Sequence, residues 1–308
     1  MRKDYFRDLW TIIAPARGER PKEFADQEIK DTANCPFCPG NEHLTPPEIT
    51  RVSNGNSWQV RVFPNRFSIL EGVSDVNEKS LKKAEVKGNH ELVIETPIHT
   101  KRTSELEIRE LKTLLEVFRD RAAHLSTIKD CDYIEIFKNF GPLAGASIIH
   151  NHFQIISLNK IPPRIEEKIS HSYGGDCAYC HIVEVEEKSK RKVFENNHFV
   201  SFVPYAPQNM HELWIVSKKH LRNFDDMDDK DLLALAEILK NTLTVAEKAN
   251  DNYNMIFNIG PKDKSFHFHI EIFPQSSHAI KAGFELGTGI SVVASTPEDS
   301  AKIYRGEI

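Results

Sequence analysis

The same landmarks occur twice in this chain, in the same order, and a sequence repeated in this way folds as a repeated unit. A C-x-x-C pair comes first, Cys35/Cys38 and then Cys177/Cys180. Strands ending Val62-Phe63-Pro64 and Phe202-Val203-Pro204 follow. Next, His90-Glu-Leu-Val-Ile runs on to His99, and His211-Glu-Leu-Trp-Ile runs on to His220, an offset of 121 residues. Last are His150-Asn-His152 and His267-Phe-His269, offset by 117. The earlier landmarks are offset by about 140, which places an extra surface segment in the first copy, in the polar stretch from Glu71 to Lys87.

Each copy carries a helix signature after its second landmark histidine. Leu111, Leu114, Leu115, Phe118, Ala122 and Leu125 form one apolar stripe at 3.6-residue periodicity, behind capping-box spacing at Ser104-Glu-Leu-Glu107. Leu232, Leu235, Leu239, Leu243 and Ala246 repeat the stripe in a helix expected from about Asp226. A β run follows each helix, Tyr133 to Phe137 and Tyr253 to Asn258. The fold class expected is therefore α+β, with two tandem halves at 1–160 and 161–308, each a mostly antiparallel sheet with one long helix. Pro162-Pro163 and the charged residues after them read as the linker. At 308 residues, two units of about 150 fit the usual domain scale.

Composition narrows the class. Hydrophobic residues make up 40 % and charged residues 28 %, with no apolar run of the ~20 residues that a membrane span needs. The N-terminal Met1-Arg-Lys-Asp-Tyr-Phe-Arg7 has basic residues but no apolar stretch and no small-residue cleavage site, so a cytoplasmic protein is expected, without a membrane partner. A formal charge of −5 gives no broad basic field, and nucleic acid is not an expected partner.

Four of the five cysteines form C-x-x-C pairs in a chain read as intracellular, a pattern that favours metal over disulfides. Two thiolates and two imidazoles close a tetrahedral zinc site. The expected ligands are Cys35, Cys38, His99 and His150 in the first copy and Cys177, Cys180, His220 and His267 in the second. Zinc at two sites per chain would staple distant segments of each half. Cys131, in a strand-like run, reads as a buried free thiol. His90 and His211 read as structural, with support of a neighbouring ligand as the lesser role.

Reactive chemistry is best placed at Gly141-Pro-Leu-Ala-Gly-Ala-Ser-Ile-Ile-His150-Asn-His152-Phe-Gln154, a small-residue turn running into H-x-H-x-Q. On a strand His150, His152 and Gln154 share a face. One histidine can then hold a metal while the next attacks an α-phosphorus, provided a backbone carbonyl fixes its tautomer. His152 is the candidate nucleophile. Gln154 can donate hydrogen bonds to phosphate oxygens but cannot shuttle a proton, which favours group transfer over hydrolysis. Glu271 stands at the corresponding place in the second copy, where its charge would repel a phosphate. The second H-x-H is therefore read as structural.

These residues resemble the galactose-1-phosphate uridylyltransferase family and its ADP-glucose-using relatives, within the histidine-triad superfamily, over nearly the whole chain. The resemblance implies two histidine-triad-like halves and ping-pong transfer of a nucleoside monophosphate, UMP first, from a nucleotide sugar to a hexose 1-phosphate through a covalent histidine adduct. An adenylyltransferase or phosphorylase acting on ADP-glucose or a dinucleoside polyphosphate is the alternative, and a catalytically idle zinc-stabilised nucleotide-binding module the third reading. It also implies that Arg17 and Arg20 contact phosphate from the partner subunit of a homodimer. Phe37, Phe63 and Asn65 would hold base and ribose, Asn139, Gly145 and Ser147 would line the phosphates, and Phe284 and Glu285 would contact the hexose. Between and after its histidines the family commonly has proline or serine and a small residue. This chain has Asn151 and Phe153, at positions that face away from the reactive side.

Overall fold

The structure, a computed structural model, describes residues 2–3, 10–11, 34–55, 57–70, 82–170, 172–173, 176–262, 264–276 and 282–308. Most of the extra segment of the first copy, together with Arg17 and Arg20, lies outside these residues.

The first copy contributes strands β1 (Thr50–Asn54), β2 (Ser57–Pro64), β3 (His90–Ile94), β4 (Tyr133–Phe140) and β5 (His152–Leu158). The second contributes β6 (Lys192–Glu195), β7 (Phe199–Phe202), β8 (Leu213–Ser217), β9 (Tyr253–Asn258) and β10 (His269–Pro274). All ten form one antiparallel sheet in the order β6-β7-β8-β10-β9-β4-β5-β3-β2-β1. Reading outward from the centre, each copy presents the same succession of strands, so the duplication appears as a pseudo-two-fold. Its axis passes through the β4–β9 ladder, where Ile136 pairs with Phe257 and Phe137 with Ile256. A self-complementary strand pairing of this kind is how an isologous contact closes.

Side-chain alternation then gives the sheet two different faces. On one, Val93, Ile136, Phe153 and Ile155 pack with Met255, Phe257 and Ile270 beneath two long helices, α1 (Ile108–Ser126) and α4 (Asp229–Ala249). The predicted stripes point inward. Leu111, Leu114, Leu115, Phe118 and Leu125 are buried, as are Leu232, Leu235, Leu239, Leu243 and Ala246, and each such leucine contributes about 2 kcal/mol. The opposite face carries the C-x-x-C loops and the functional cavity. Both expected features of the α+β class, an antiparallel sheet and one long helix per copy, are present.

Three local expectations change. Helix α1 begins at Ile108, capped by Glu107 and Glu110, not at Ser104. Ser104 lies in a 3-10 turn, where its hydroxyl donates to Glu247 and its carbonyl accepts from Lys240, so α4 withdraws it from a capping role. The stretch read as a linker forms helix α2 (Pro163–Ser170). Proline is well placed in a first turn, and Ile165 and Ile169 of this helix pack against Tyr133 and Phe266. Cys131 is free but only half-buried.

Beneath β5, Lys138 donates to Glu95 Oε1 at 2.7 Å and to Thr103 Oγ1 at 2.8 Å, and Thr103 donates to the same carboxylate oxygen at 2.8 Å. Both charged side chains are fully buried. This triad ties β4 to the end of β3 and to the loop carrying His99. Glu95→Leu alone should cost about 3 kcal/mol because it strands a buried ammonium, while Glu95→Leu/Lys138→Met should recover most of that loss. Urea denaturation measures both; a single variant as stable as the parent would contradict this role.

Candidate active site

The C-x-x-C loop of the first copy and its two later histidines converge beside β5. Cys35 Sγ lies 3.6 Å from His150 Nδ1, and Cys38 Sγ lies 3.5 Å from His150 Nδ1 and 3.4 Å from His99 Nδ1. A tetrahedral ion with ordinary zinc–sulfur and zinc–nitrogen bond lengths would separate such donors by ~3.6 Å. His150 Nε2 donates to the Thr96 carbonyl at 2.8 Å, which leaves the Nδ1 lone pair directed at the thiols. In the second copy Cys177 and Cys180, at the start of helix α3 (Ala178–Glu186), lie 3.5 and 3.6 Å from His267 Nδ1, and Cys180 lies 3.5 Å from His220 Nδ1. His267 Nε2 donates to the Ser217 carbonyl at 2.7 Å. Both four-residue clusters can therefore hold a metal ion, the first buried and the second shallower. Burial lowers the His150 and His267 pKa values to about 4, so both imidazoles are neutral at neutral pH, as metal ligation requires.

The cluster positions the next histidine. His152 Nδ1–H donates to the carbonyl of His150 at 2.9 Å, and among the described residues Nε2 has no partner. Burial lowers the His152 pKa to about 4 against that backbone bond, and the Lys138 charge adds to the shift. The ring is neutral, with its lone pair on Nε2, and meets Phe37 edge-on with centroids 5.2 Å apart.

His152 lines a cavity of about 220 Å3 that also exposes Phe37, Phe63, Asn65, Asn139, Gly145, Ser147 and Gln154. Those eight sequence-predicted residues thus come together. The lining combines apolar side chains such as Phe37 and Phe63, the amides of Asn65, Asn139 and Gln154, and Gly145 to Ser147 of the small-residue turn. Gly145 adopts a left-handed φ of 82° in that turn, and Gly141, at φ 82°, sits too close to Asn252 for a Cβ. Phe284 and Glu285 are not brought to the cavity. They form part of the short helix α5 (Gly283–Thr288), with Phe284 exposed.

Sequence reasoning missed several contributors. Arg66, Phe67, Leu92 and Thr45 also line the cavity. Asn254, from the second copy, donates to Asn139 Oδ1 and to the Ala144 carbonyl, both at 2.8 Å. It faces Asn139 across the β4–β9 ladder, a pairing no local signal announces. His90, read as structural, contacts Gln154 directly at 2.9 Å.

The second copy repeats the backbone device but closes the site. His269 Nδ1–H donates to the His267 carbonyl at 2.8 Å. Its Nε2, however, receives the Lys168 ammonium at 3.1 Å and lies 3.2 Å from the Tyr179 hydroxyl. Lys168, on α2, also donates to Asn258 Oδ1 at 2.7 Å and Glu271 Oε1 at 2.8 Å, using all three of its donors. Although burial opposes it, contact with His269 and Lys168 holds the Glu271 carboxyl well below the usual range. The Tyr179 ring stacks on His269 at 4.4 Å. No lone pair is left there for attack on phosphorus.

The N-terminal-domain profile of galactose-1-phosphate uridyl transferase matches residues 1–162, more than half of the chain. The chain belongs to the galactose-1-phosphate uridylyltransferase family. A profile described as scavenger mRNA decapping enzyme C-term binding matches residues 176–282. The ADP-glucose phosphorylase of Arabidopsis thaliana is 32 % identical, over 99 % of this chain and 92 % of its own. The galactose-1-phosphate uridylyltransferase of Thermotoga maritima is 29 % identical, over 99 % and 97 %. A solved uridylyltransferase structure superposes with a TM-score of 0.82 at 28 % identity, covering 99 % of this chain and 97 % of that one. Family membership makes the chain an enzyme of the nucleotidyl-transferring type and sets aside the idle binding module.

Proposed function

We propose that the protein transfers a nucleoside monophosphate between a nucleotide sugar and a sugar 1-phosphate through a covalent adduct on His152. The single observation that carries this reading is the Nε2 of a neutral His152 at the wall of the cavity, without a partner among the described residues, with Nδ1–H held by the His150 carbonyl. The Nε2 lone pair attacks the α-phosphorus, the bond from that phosphorus to the bridging oxygen breaks, and sugar 1-phosphate leaves. An acceptor phosphate oxygen then attacks the same phosphorus and the P–N bond breaks. Throughout, Nδ1 keeps its proton, and the positive charge on the nucleotidylated ring is stabilised by the carbonyl. Gln154, and Asn139 buttressed by Asn254, are suited to hydrogen-bond the phosphoryl oxygens, and Phe37, Phe63 and Asn65 to hold the nucleoside.

Transfer of UMP is the first reading. Transfer of AMP from ADP-glucose to an acceptor phosphate is the second, favoured by the likeness to the Arabidopsis phosphorylase. Each chain is further read as catalytic half 1–160 and second half 161–308, with zinc in both Cys2His2 clusters. Zinc would neutralise the thiolates and fix the loops. It is also read as a cytoplasmic homodimer, in which Arg17, Arg20, Phe284 and Glu285 reach the partner's cavity. The exposure of Phe284 away from its own cavity supports that exchange. Among the described residues no helix is long and apolar enough to cross a membrane.

Incubation with UDP-glucose or with ADP-glucose, followed by intact mass measurement, should show a UMP adduct with the first or an AMP adduct with the second. His152→Ala should show neither while remaining folded. An adduct that survives in His152→Ala would contradict the assignment of the nucleophile. Elemental analysis should return two zinc ions per chain, falling to one in Cys35→Ser/Cys38→Ser and to one in Cys177→Ser/Cys180→Ser. Unchanged content in either double variant would place the metal elsewhere.

A further inference from the structure

The amide of Gln154 can present either end to the cavity, and only one of them suits a phosphoryl group. Its N–H2 would donate to phosphate oxygens, whereas its carbonyl oxygen would face them with negative partial charge. The residue is buried at the cavity wall, so a wrongly turned amide would not be corrected by water. Something must fix its orientation.

His90 is placed to do so. It opens β3, which runs beside β5 with Leu92 opposite Gln154 and Ile94 opposite His152, so its side chain shares the cavity face of the sheet. The Ile69 backbone N–H points at His90 Nδ1 from 3.3 Å, which makes that nitrogen an acceptor and leaves the ring proton on Nε2. His90 Nε2 lies 2.9 Å from Gln154 Oε1 and 3.1 Å from Asn65 Nδ2. A protonated Nε2 donates to the carbonyl oxygen, the nearer of the two and the one able to accept. The Gln154 oxygen is thereby held away from the cavity and its amide nitrogen turned toward it.

The second copy provides an internal comparison. There the glutamine is replaced by Glu271, and the histidine corresponding to His90 has left the arrangement. His211 takes a left-handed φ of 64°, and its Nδ1 lies 3.0 Å from Ser300 Oγ on helix α6 (Pro297–Arg305). Although the repeat retains the histidine in both copies, the contact to the strand residue exists only where that residue is an amide.

We infer that His90 is a positioning residue, which sets the amide of Gln154 so that its N–H2 group faces the transferred phosphoryl group. The inference rests on the proposed reaction at His152. It requires the loss on removing His90 to pass through Gln154, a requirement that a purely structural role would not impose.

The test is a double-mutant cycle read in nucleotidyl transfer, with kcat and KM measured for the parent, His90→Leu, Gln154→Ala and the double variant. His90→Leu should lower kcat by about ten- to hundredfold, the scale of one misdirected hydrogen bond to a charged group, with KM changed by less than about threefold. In the Gln154→Ala background the same substitution should have almost no further effect. His90→Gln, whose amide nitrogen falls near the position of Nε2, should restore most of the rate. His90→Asn, too short to reach Gln154, should not, and it preserves the comparison if leucine disturbs folding. Equal loss from His90→Leu with and without Gln154, or rescue by asparagine as good as by glutamine, would overturn the inference while the parent's activity upheld the reaction. A parent inactive with both UDP-glucose and ADP-glucose would instead overturn the reaction, and this inference with it.

Discussion

The bond from His152 Nδ1–H to the carbonyl of His150 is the contact on which the proposed chemistry depends, and the surrounding structure serves to hold it. His150 is itself fixed at both ring nitrogens, by the cysteine pair on one side and the Thr96 carbonyl on the other. A two-residue step along the chain therefore carries rigidity from the Cys2His2 cluster to the His152 ring. Because the tautomer is set by backbone, the neutral imidazole presents one particular nitrogen to the cavity without help from an acidic side chain. A carboxylate partner would raise the ring pKa, whereas burial beside Lys138 lowers it.

Duplication makes this device appear twice, yet the two outcomes differ through a few side chains. His269 has the same backbone bond, but Lys168 occupies its Nε2 and matches its three donors to His269, Asn258 and Glu271. The second copy instead contributes support. Its β9 completes the sheet beside β4, and Asn254 crosses the ladder to orient Asn139 and the turn before His150. A site on one half is thus stiffened by a residue of the other, a division of labour open to a duplicated chain once one copy carries the reaction.

Much of this was legible in the sequence. The Cys and His residues announced themselves because their kinds and order recur, and the helices α1 and α4 because their leucines keep a period that the fold uses. The small-residue turn into H-x-H-x-Q placed His152 and Gln154 on one strand face. Contacts made across long separations were illegible. Helix α2 looked like a linker because Pro162-Pro163 and its charges dominate the local pattern, while Ile165, Ile169 and Lys168 find their partners on distant strands. Asn254 was missed and His90 was read as structural for the same reason, since each makes its contact through a strand pairing that residue spacing does not encode. Ser104 misled in the opposite way, offering a local cap that α4 overrides.

On the proposed mechanism one copy reacts and the other supports it. Mapping the nucleotide on the protein after incubation with UDP-glucose or ADP-glucose, by proteolysis under alkaline conditions that preserve phosphoramidates, tests it most directly. The nucleotide is expected only on the peptide bearing His150 to Gln154, bonded to Nε2 of His152. Nucleotide on the peptide containing His269, or divided between the two, would contradict it.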